Sequence, residues 1–171
     1  MIEVVGNLWT YSPCDVRVIT TNGTVRKNGE AVMGRGCALE AKQRWPTMPR
    51  ALGRMIEQHG NHVHRLLRRV VVIGEKENHL DGFELYSFPV KHHWMQKADI
   101  SLIRRSAEEL LCAVETGPLT VVLPHPGCGN GGLHWCSCAA YPEEEGEREP
   151  CGGVYHVLAP ILDDRFHVIS F

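Results

Sequence analysis

The chain has 171 residues, of which 43% are hydrophobic and 22% are charged, and its formal net charge is −2. This length fits one globular domain, and this composition excludes a disordered or fibrous protein. The segment from 142 to 150 carries five Glu and one Arg, which leaves a charge of only +2 for the rest of the chain. Such a mild balance does not by itself indicate a nucleic-acid-binding protein.

The N-terminus and the cysteines bear on the compartment in which the protein works. Met1–Gly6 lacks the basic start and apolar centre of a signal peptide, and no run approaches the roughly 18 apolar residues of a membrane helix. Seven cysteines, an odd number, suit reduced thiols better than a framework of disulfides. We therefore expect a cytoplasmic protein without membrane contact.

Apolar runs alternate with amphipathic stretches along the chain, which is typical of an α/β protein. Six strands are predicted, at Ile2–Val5, Val16–Thr20, Arg69–Gly74, Phe83–Phe88, Thr120–Leu123 and Phe166–Ile169. Four helices are predicted, at Cys37–Trp45, Pro49–His59, Asp99–Val114 and Val154–Leu162. The pattern predicts a single three-layer α/β/α domain over residues 1–171, with a mixed, mostly parallel sheet of about six strands.

Capping residues define the ends of the second and third predicted helices. Thr47 and Asp99 are the predicted N-caps, because their side chains can accept hydrogen bonds from the free N–H groups of a first helical turn. Gly60 is the predicted stop of the second helix, since glycine readily adopts the conformation found after a helix C-terminus.

The first of two glycine-rich stretches, Thr21–Gly36, directly follows a predicted strand. Ligands of open α/β sheets bind beyond the carboxyl ends of strands. Gly34 and Gly36 precede a helix, where glycines let a phosphate approach the backbone and the helix N-terminus supplies free N–H groups. Asn22, at the strand end, can offer a donor and an acceptor to a pair of sugar hydroxyls. A plain turn before a helix is the alternative interpretation.

The second glycine-rich stretch, Pro124–Gly132, holds four glycines within six positions. Such a loop can turn consecutive N–H groups towards a diphosphate. Gly127, Gly129 and Gly132 satisfy the G-x-G-x-x-G pattern. No clear strand with a ribose-binding acid follows about 20 residues later, which disfavours a dinucleotide oxidoreductase.

Five motifs, in order along most of the chain, resemble those of macrodomains, the ADP-ribose-binding fold. They are Gly6-Asn7-Leu8, Thr20-Thr21-Asn22, Met33-Gly34-Arg35-Gly36-Cys37-Ala38, Phe88-Pro89-Val90-Lys91 and Gly127-Cys128-Gly129-Asn130-Gly131-Gly132-Leu133-His134-Trp135. The chain is similar to the branch that contains DNA-directed antitoxin macrodomains and glutamate-directed terminal ADP-ribose hydrolases. Residues 136–153 fall outside the resemblance and are interpreted as an insertion.

The resemblance implies an ADP-ribose site. Asn22 would hold the distal ribose, and the two glycine-rich stretches would hold the two phosphates. Position 7 of the family usually carries an Asp that accepts a hydrogen bond from the adenine amino group, and Asn7 keeps the acceptor oxygen without the charge. The implied ADP-ribose-binding residues are Asn7, Leu8, Asn22, Met33, Gly34, Arg35, Gly36, Cys37, Ala38, Gly127, Cys128, Gly129, Asn130, Gly131 and Gly132.

Lys91 is the implied catalytic residue. A lysine at the edge of a partly dry cleft can lose its proton and become a nucleophile, and in the resembling branch the lysine at this point attacks the anomeric carbon of the distal ribose. Some relatives also carry an Asp where this chain has Gly131, and Asn130 cannot act as a general base. An exposed lysine at a strand end is the alternative. His92 and His93 are expected to pack at the surface.

The cysteines suggest two further sites that the residue pattern disfavours. Cys128 with His125 would make a Cys–His nucleophile, and Cys37 lies in the other loop, but a phosphate-binding nest explains these stretches more simply. Three thiols within Cys136–Cys151 and a flanking histidine would make a structural zinc site, but C-x-C is not the usual spacing of zinc ligands. We therefore expect no bound metal.

Two classes of function follow from these expectations. Lys91 favours a hydrolase that removes ADP-ribose from a DNA base or a protein carboxylate, whereas Gly131 leaves room for a non-catalytic reader of ADP-ribosylated targets. A processing enzyme for a free nucleotide sugar is a weaker third. ADP-ribose is the expected ligand, without a cofactor. If the acceptor is DNA, the basic residues from Arg44 to Arg69 would guide the strand into the cleft, and the alternative is that they form solvated helix faces. We expect a monomer and, by analogy alone, a cognate ADP-ribosylating toxin.

Overall fold

The computed structural model describes residues 1–72, 81–114, 117–136 and 152–170. The strands are β1 (Ile2–Val5), β2 (Val16–Asn22), β3 (His64–Val72), β4 (Asp81–Lys91), β5 (Val121–Pro124) and β6 (Phe166–Ser170). The helices are α1 (Gly36–Arg44), α2 (Met48–His59), α3 (Ile100–Ala113) and α4 (Val154–Leu158). The strands form one sheet in the order β1-β6-β5-β2-β4-β3, and every pair is parallel except β3 with β4. The predicted mixed, mostly parallel sheet is confirmed.

The sheet buries a hydrophobic cluster on each of its faces. Val18 points to one face, where it joins Leu110 of α3, while the next residue, Ile19, joins Leu52 of α2 on the other. Successive side chains of a strand alternate between faces, so central strands covered on both sides are continuous apolar runs. This arrangement is the predicted three-layer α/β/α domain.

The predicted strand Arg69–Gly74 is wrong in its bounds. β3 begins at His64 and extends to Val72, and positions 73 and 74 lie outside the described residues. β3 is an edge strand that pairs with β4 alone, so Arg65 and Arg68 point into solvent from its first half. A partly solvated edge strand lacks the apolar run by which buried strands are recognised.

Of the three residues predicted to cap or stop a helix, two are confirmed. The Asp99 carboxylate accepts hydrogen bonds from the backbone N–H groups of Ser101 (2.8 Å) and Leu102 (3.3 Å) and caps α3. Gly60 ends α2 with a positive φ of 86°. Thr47 does not cap α2 through its side chain, because its backbone is already helical (φ −82°, ψ −12°).

The last helix is shorter than predicted. α4 ends at Leu158 instead of Leu162, and both Ile161 N and Leu162 N donate to the Leu158 carbonyl at 2.9 Å in the turn that follows. Ala159 still has helical dihedral angles (φ −55°, ψ −38°), but Pro160 has no N–H group to donate to the carbonyl four residues earlier, which interrupts the helical hydrogen bonds and explains the early stop. None of the described helices has the length and apolar character needed to span a membrane.

Candidate functional site

A cleft of about 1210 Å³ lies where the parallel strands β2, β4, β5 and β6 reach their carboxyl ends. Three connections surround it: loop 1 (residues 23–35, between β2 and α1), the β4–α3 loop (residues 92–99) and loop 2 (residues 125–135, after β5). This edge of an open α/β sheet is where the fold leaves room for a ligand. The sequence-predicted residues that line the cleft are Asn22, Gly34, Arg35, Gly36, Cys37, Ala38, Lys91, Gly127, Cys128, Gly129, Asn130, Gly131 and Gly132.

Three predicted residues, Asn7, Leu8 and Met33, lie outside the lining of this cleft. The side chains of Leu8 and Met33 are fully buried in the hydrophobic cluster against α1 and α2. Asn7 Oδ1 accepts a hydrogen bond from the backbone N–H of Trp9 at 2.8 Å. Leu8 and Met33 thus support the site from the core, and Asn7 uses its acceptor oxygen in a turn. Contact of these three residues with a ligand stays a prediction.

Asn22 and Lys91 lie opposite each other at the ends of β2 and β4. The Asn22 amide is fixed by loop 1, because Nδ2 donates to the Val32 carbonyl (2.9 Å) and Oδ1 accepts from the Thr24 N–H (3.0 Å). An amide has two N–H donors and two lone pairs, so one donor and one acceptor position of Asn22 are left for a ligand in the cleft.

Lys91 connects the two glycine loops. Its carbonyl oxygen accepts a hydrogen bond from Gly23 N in loop 1 (3.1 Å), and its Nζ donates to the Asn130 carbonyl in loop 2 (2.7 Å). The side chain is half-buried and lines the cleft. Because Nζ is held by this carbonyl, it must leave Asn130 before it can attack a substrate.

Arg35 and Asn130 link the loops a second time. Arg35 Nη1 donates to Asn130 Oδ1 at 3.4 Å, across the mouth of the cleft. Both residues are exposed, so a ligand can displace this contact at low cost. The arrangement leaves an Arg side chain at the start of α1, where the helix N-terminus also favours an anion.

Loop 2 owes its conformation to two glycines. Gly127 has a φ of +76°, and a Cβ on it would lie 2.9 Å from the Ala98 Cβ. A Cβ on Gly131 would overlap the Gly127 carbonyl group. The Asp that some resembling macrodomains carry at this position therefore does not fit the conformation that loop 2 has here.

The thiols of the cleft are poorly suited to nucleophilic attack. Burial raises the pKa of Cys128 to about 11, and burial likewise raises the pKa of Cys37. The ring of His125 stacks on Trp135 with centroids 4.2 Å apart, and burial lowers the pKa of His125. Because the thiolate is the nucleophilic form, the geometry disfavours a Cys–His pair.

The cysteines after loop 2 are described only in part. Cys136 is disulfide-bonded, so the expectation of wholly reduced thiols is wrong at this position. The predicted insertion covers residues 136–153. Its positions 137–151, which include Cys138 and Cys151, lie outside the described residues. Among the residues that are described, no group of three His, Cys, Asp or Glu side chains is placed to hold a metal ion.

The β4–α3 loop is part of the site, although its sequence was not predicted to belong to it. This loop lines the cleft with Trp94, Met95, Gln96 and Lys97. His92 and His93, which follow Lys91, are not among the lining residues. The rule that ligands lie beyond the carboxyl ends of parallel strands would have included the lining residues of this loop, because β4 also ends at this edge. Arg26 and Glu40 complete the charged lining.

No family model matches the chain. A DNA ADP-ribosyl glycohydrolase of Mycobacterium tuberculosis is 31% identical over 129 residues, 74% of this chain and 35% of the relative. A DNA ADP-ribosyl glycohydrolase of Thermus aquaticus is 29% identical over 131 residues, 76% of this chain and 33% of the relative. The chain thus spans about a third of the length of these curated relatives.

Solved structures share the fold over almost the whole chain. The macrodomain of Mycobacterium tuberculosis DarG has a TM-score of 0.62 and 25% identity, with 97% of this chain and 96% of that chain covered. Thermosipho africanus DarTG, solved in complex with ADP-ribose, has a TM-score of 0.66 and 16% identity, with 98% of this chain and 41% of that chain covered. The sheet, the cleft and these likenesses define the chain as a macrodomain. It is a macrodomain of the DarG type.

Proposed function

We propose that the cleft binds ADP-ribose and that the chain removes ADP-ribose from DNA bases. The observation that carries this proposal is the position of Lys91, which lies between the two glycine loops of a chain similar to DNA ADP-ribosyl glycohydrolases. The cleft, at about 1210 Å³, is large enough for a ligand of the size of ADP-ribose, since small-molecule pockets have roughly 300–1,000 Å³.

Different lining residues bind different parts of ADP-ribose in this proposal. Loop 2 and the start of α1 hold the two phosphates, because backbone N–H groups and the helix N-terminus favour anions. The free donor and acceptor of Asn22 bind the hydroxyls of the distal ribose, whose anomeric carbon then faces Lys91 on the neighbouring strand. Thermosipho africanus DarTG, which shares the fold, was solved with ADP-ribose, and this supports ADP-ribose as the ligand.

Lys91 acts as the nucleophile once its Nζ is deprotonated and has left the Asn130 carbonyl. The amine attacks the anomeric carbon, a C–N bond forms, and the bond to the DNA base breaks as the base leaves with a proton. Opening of the sugar ring gives an imine on Lys91. Water adds to the imine carbon and releases ADP-ribose, which restores the free amine.

A reader of ADP-ribosylated targets is the second candidate function. Gly131 occupies the position of an Asp found in some relatives, and among the described residues that line the cleft Glu40 is the sole acidic side chain. Glu40, on α1, accepts a hydrogen bond from the indole N–H of Trp9, so its carboxylate is poorly placed to act as a general base. A cleft without a general base can bind its target and release it unchanged.

The remaining expectations accompany this proposal. We propose one domain over residues 1–171, a cytoplasmic monomer that needs no cofactor, and phosphate binding by both glycine loops. A cognate ADP-ribosylating toxin as partner is supported by the likeness to DarTG and DarG structures.

The test compares two substrates under single-turnover conditions. The chain is incubated with ADP-ribosylated single-stranded DNA and with protein ADP-ribosylated on carboxylates, and the ADP-ribose released is measured. Release from DNA is the expected result. Binding of free ADP-ribose by calorimetry without release from either substrate would favour the reader. The absence of both binding heat and a thermal shift at millimolar ADP-ribose would contradict both functions.

A further inference from the structure

Two large apolar side chains stand in solvent at the edge of the cleft. Trp94 is 51% exposed and Met95 is 70% exposed, and both line the cleft beside Lys91. Ile2 and Val5, the other exposed large hydrophobic residues among those described, lie on the edge strand β1. An exposed indole next to a site is an available surface for an aromatic or apolar ligand group.

The backbone that carries Trp94 is held in place. The Trp94 N–H donates to Thr24 Oγ1 of loop 1 at 3.0 Å. In the same turn the His93 N–H donates to Gln96 Oε1, and the Gln96 N–H donates to the His93 carbonyl, both at 3.0 Å. The indole therefore projects into solvent from a hydrogen-bonded turn at the edge of the cleft.

The charges around the cleft complement a nucleic-acid backbone. Arg26, Arg35, Lys91 and Lys97 line it, against Glu40 as the acidic lining residue among those described. The basic run predicted to guide DNA lies elsewhere: of its described side chains, Arg44, Arg50, Arg54, Arg65 and Arg68, none lines the cleft. A positive groove with an exposed aromatic ring is the arrangement by which proteins bind single-stranded nucleic acid.

We propose that Trp94 is the stacking platform for the nucleobase that carries ADP-ribose, with Met95 extending the apolar surface. The proposal rests on the proposed function and adds a residue that selects a nucleic-acid acceptor over a protein side chain. A base inside a duplex cannot reach such a platform unless it is flipped out, so single-stranded DNA is the preferred substrate. Stacking on an aromatic ring contributes roughly 5- to 150-fold in affinity for each base.

The experiment measures binding in a Lys91→Ala background, which prevents turnover. Fluorescence anisotropy gives the Kd of a labelled ADP-ribosylated oligonucleotide, and calorimetry gives the Kd of free ADP-ribose. We expect Trp94→Ala to weaken binding of the oligonucleotide by roughly 5- to 150-fold while the Kd of free ADP-ribose stays unchanged. Trp94→Phe should restore much of the loss. Ile2→Ala, an exposed position outside the cleft, is the matched control and should change neither value.

Three results would overturn the proposal. If Trp94→Ala in the Lys91→Ala background binds the oligonucleotide with the same Kd as Lys91→Ala alone, the indole ring contacts no base. An equal loss for free ADP-ribose would assign Trp94 to the ADP-ribose site itself. An equal loss for an ADP-ribosylated peptide would show an acceptor surface without preference for bases.

Hydrolysis by the chain with Lys91 intact separates this proposal from the proposed function. If the oligonucleotide binds more tightly than ADP-ribose through Trp94 but is not hydrolysed, the proposed hydrolase activity is contradicted and the stacking role of Trp94 is supported. If hydrolysis proceeds and Trp94→Ala changes neither binding nor KM, the platform fails and the hydrolase stands.

Discussion

Loop 1 and loop 2 are both rich in glycine, but Gly34 of loop 1 differs from Gly127 and Gly131 of loop 2 in the reason for which glycine is required. In loop 2, Gly127 and Gly131 have no space for a Cβ, so the packing of the loop demands them. In loop 1, no atom of the described residues lies within 4 Å of a Cβ placed on Gly34. At Gly127 and Gly131 glycine is a requirement of the fold, whereas the open space at Gly34 fits a requirement set by a ligand.

The two loops are also supported differently. Loop 2 is closed on itself, since the Leu133 N–H donates to the Gly127 carbonyl at 3.1 Å. Loop 1 is held by a helix, because the Ala31 N–H donates to the Pro49 carbonyl at 2.8 Å and a Cβ on Gly53 of α2 would overlap the Gly29 carbonyl. The comparison predicts that substitutions in the two loops will separate stability from binding.

The largest effect is expected for Gly131→Ala. Because the new methyl group overlaps the Gly127 carbonyl, loop 2 must shift, and we expect a loss of about 3 kcal/mol in the free energy of unfolding, together with the loss of ADP-ribose binding. Urea denaturation and calorimetry measure the two quantities. Gly129→Ala, in the same loop with open space around it, is the control and should cost less than about 0.5 kcal/mol.

Gly34→Ala should affect binding alone. The position has open space and no positive φ, so the free energy of unfolding should change by less than about 0.5 kcal/mol. If a phosphate approaches this backbone, the methyl group should raise the Kd of ADP-ribose about tenfold, which corresponds to about 1.4 kcal/mol. An unchanged Kd in calorimetry would favour the plain turn that the sequence also allowed.

A smaller effect is expected where the β4–α3 loop meets α3. Hydrogen bonds from the backbone N–H groups of Ser101 and Leu102 hold the pKa of Asp99 below its ordinary value of 3.8, because they stabilise the carboxylate. This contribution to stability is therefore complete above that value and is lost as the pH falls through the lowered pKa. Asp99→Ala should cost about 1 kcal/mol at pH 7 and progressively less below pH 3.8, as measured by urea denaturation.

The matched variant for this position is Asp99→Asn. The Asn amide oxygen can still cap the helix, so it should retain most of the stability without the pH dependence. A stability difference between wild type and Asp99→Ala that persists undiminished at acid pH would show that the carboxylate charge plays no part in the cap.

The smallest effect is expected for the thiol of loop 2. At a pKa of about 11, only on the order of 0.1% of Cys128 is thiolate at pH 8, so Cys128→Ser should leave the rate of ADP-ribose release unchanged. Cys112→Ser, at an exposed position on α3, is the control. A large loss of rate in Cys128→Ser alone would assign the thiol a part in the chemistry.

The fold could be predicted further than the site. Buried strands such as β2 are continuous apolar runs, so six strands and the three layers were predictable, whereas the edge strand β3 begins with solvated residues and was placed too late. The two glycine loops were found because glycine is visible in sequence. Trp94 was not assigned to the site, because its exposure depends on the turn that follows Lys91.

The depth of residues relative to the cleft also could not be predicted from the sequence. Met33 and Gly34 are neighbours in the same motif, but Met33 points into the core and Gly34 faces the cleft. The register shift between Thr21 and Asn22 brings Asn22 opposite Lys91, and it depends on the pairing of β2 with β4 rather than on local sequence.

The central claim is that Lys91 performs the chemistry while the two loops bind ADP-ribose, and Lys91→Ala tests it most directly. The backbone bond from Gly23 N to the Lys91 carbonyl survives this substitution, so loop 1 keeps its support. Release of ADP-ribose from modified DNA should fall by orders of magnitude, with the Kd of free ADP-ribose little changed. Lys91→Arg should be nearly as inactive, because a guanidinium stays protonated. Full release by Lys91→Ala would contradict the account and point to a bound water as the nucleophile.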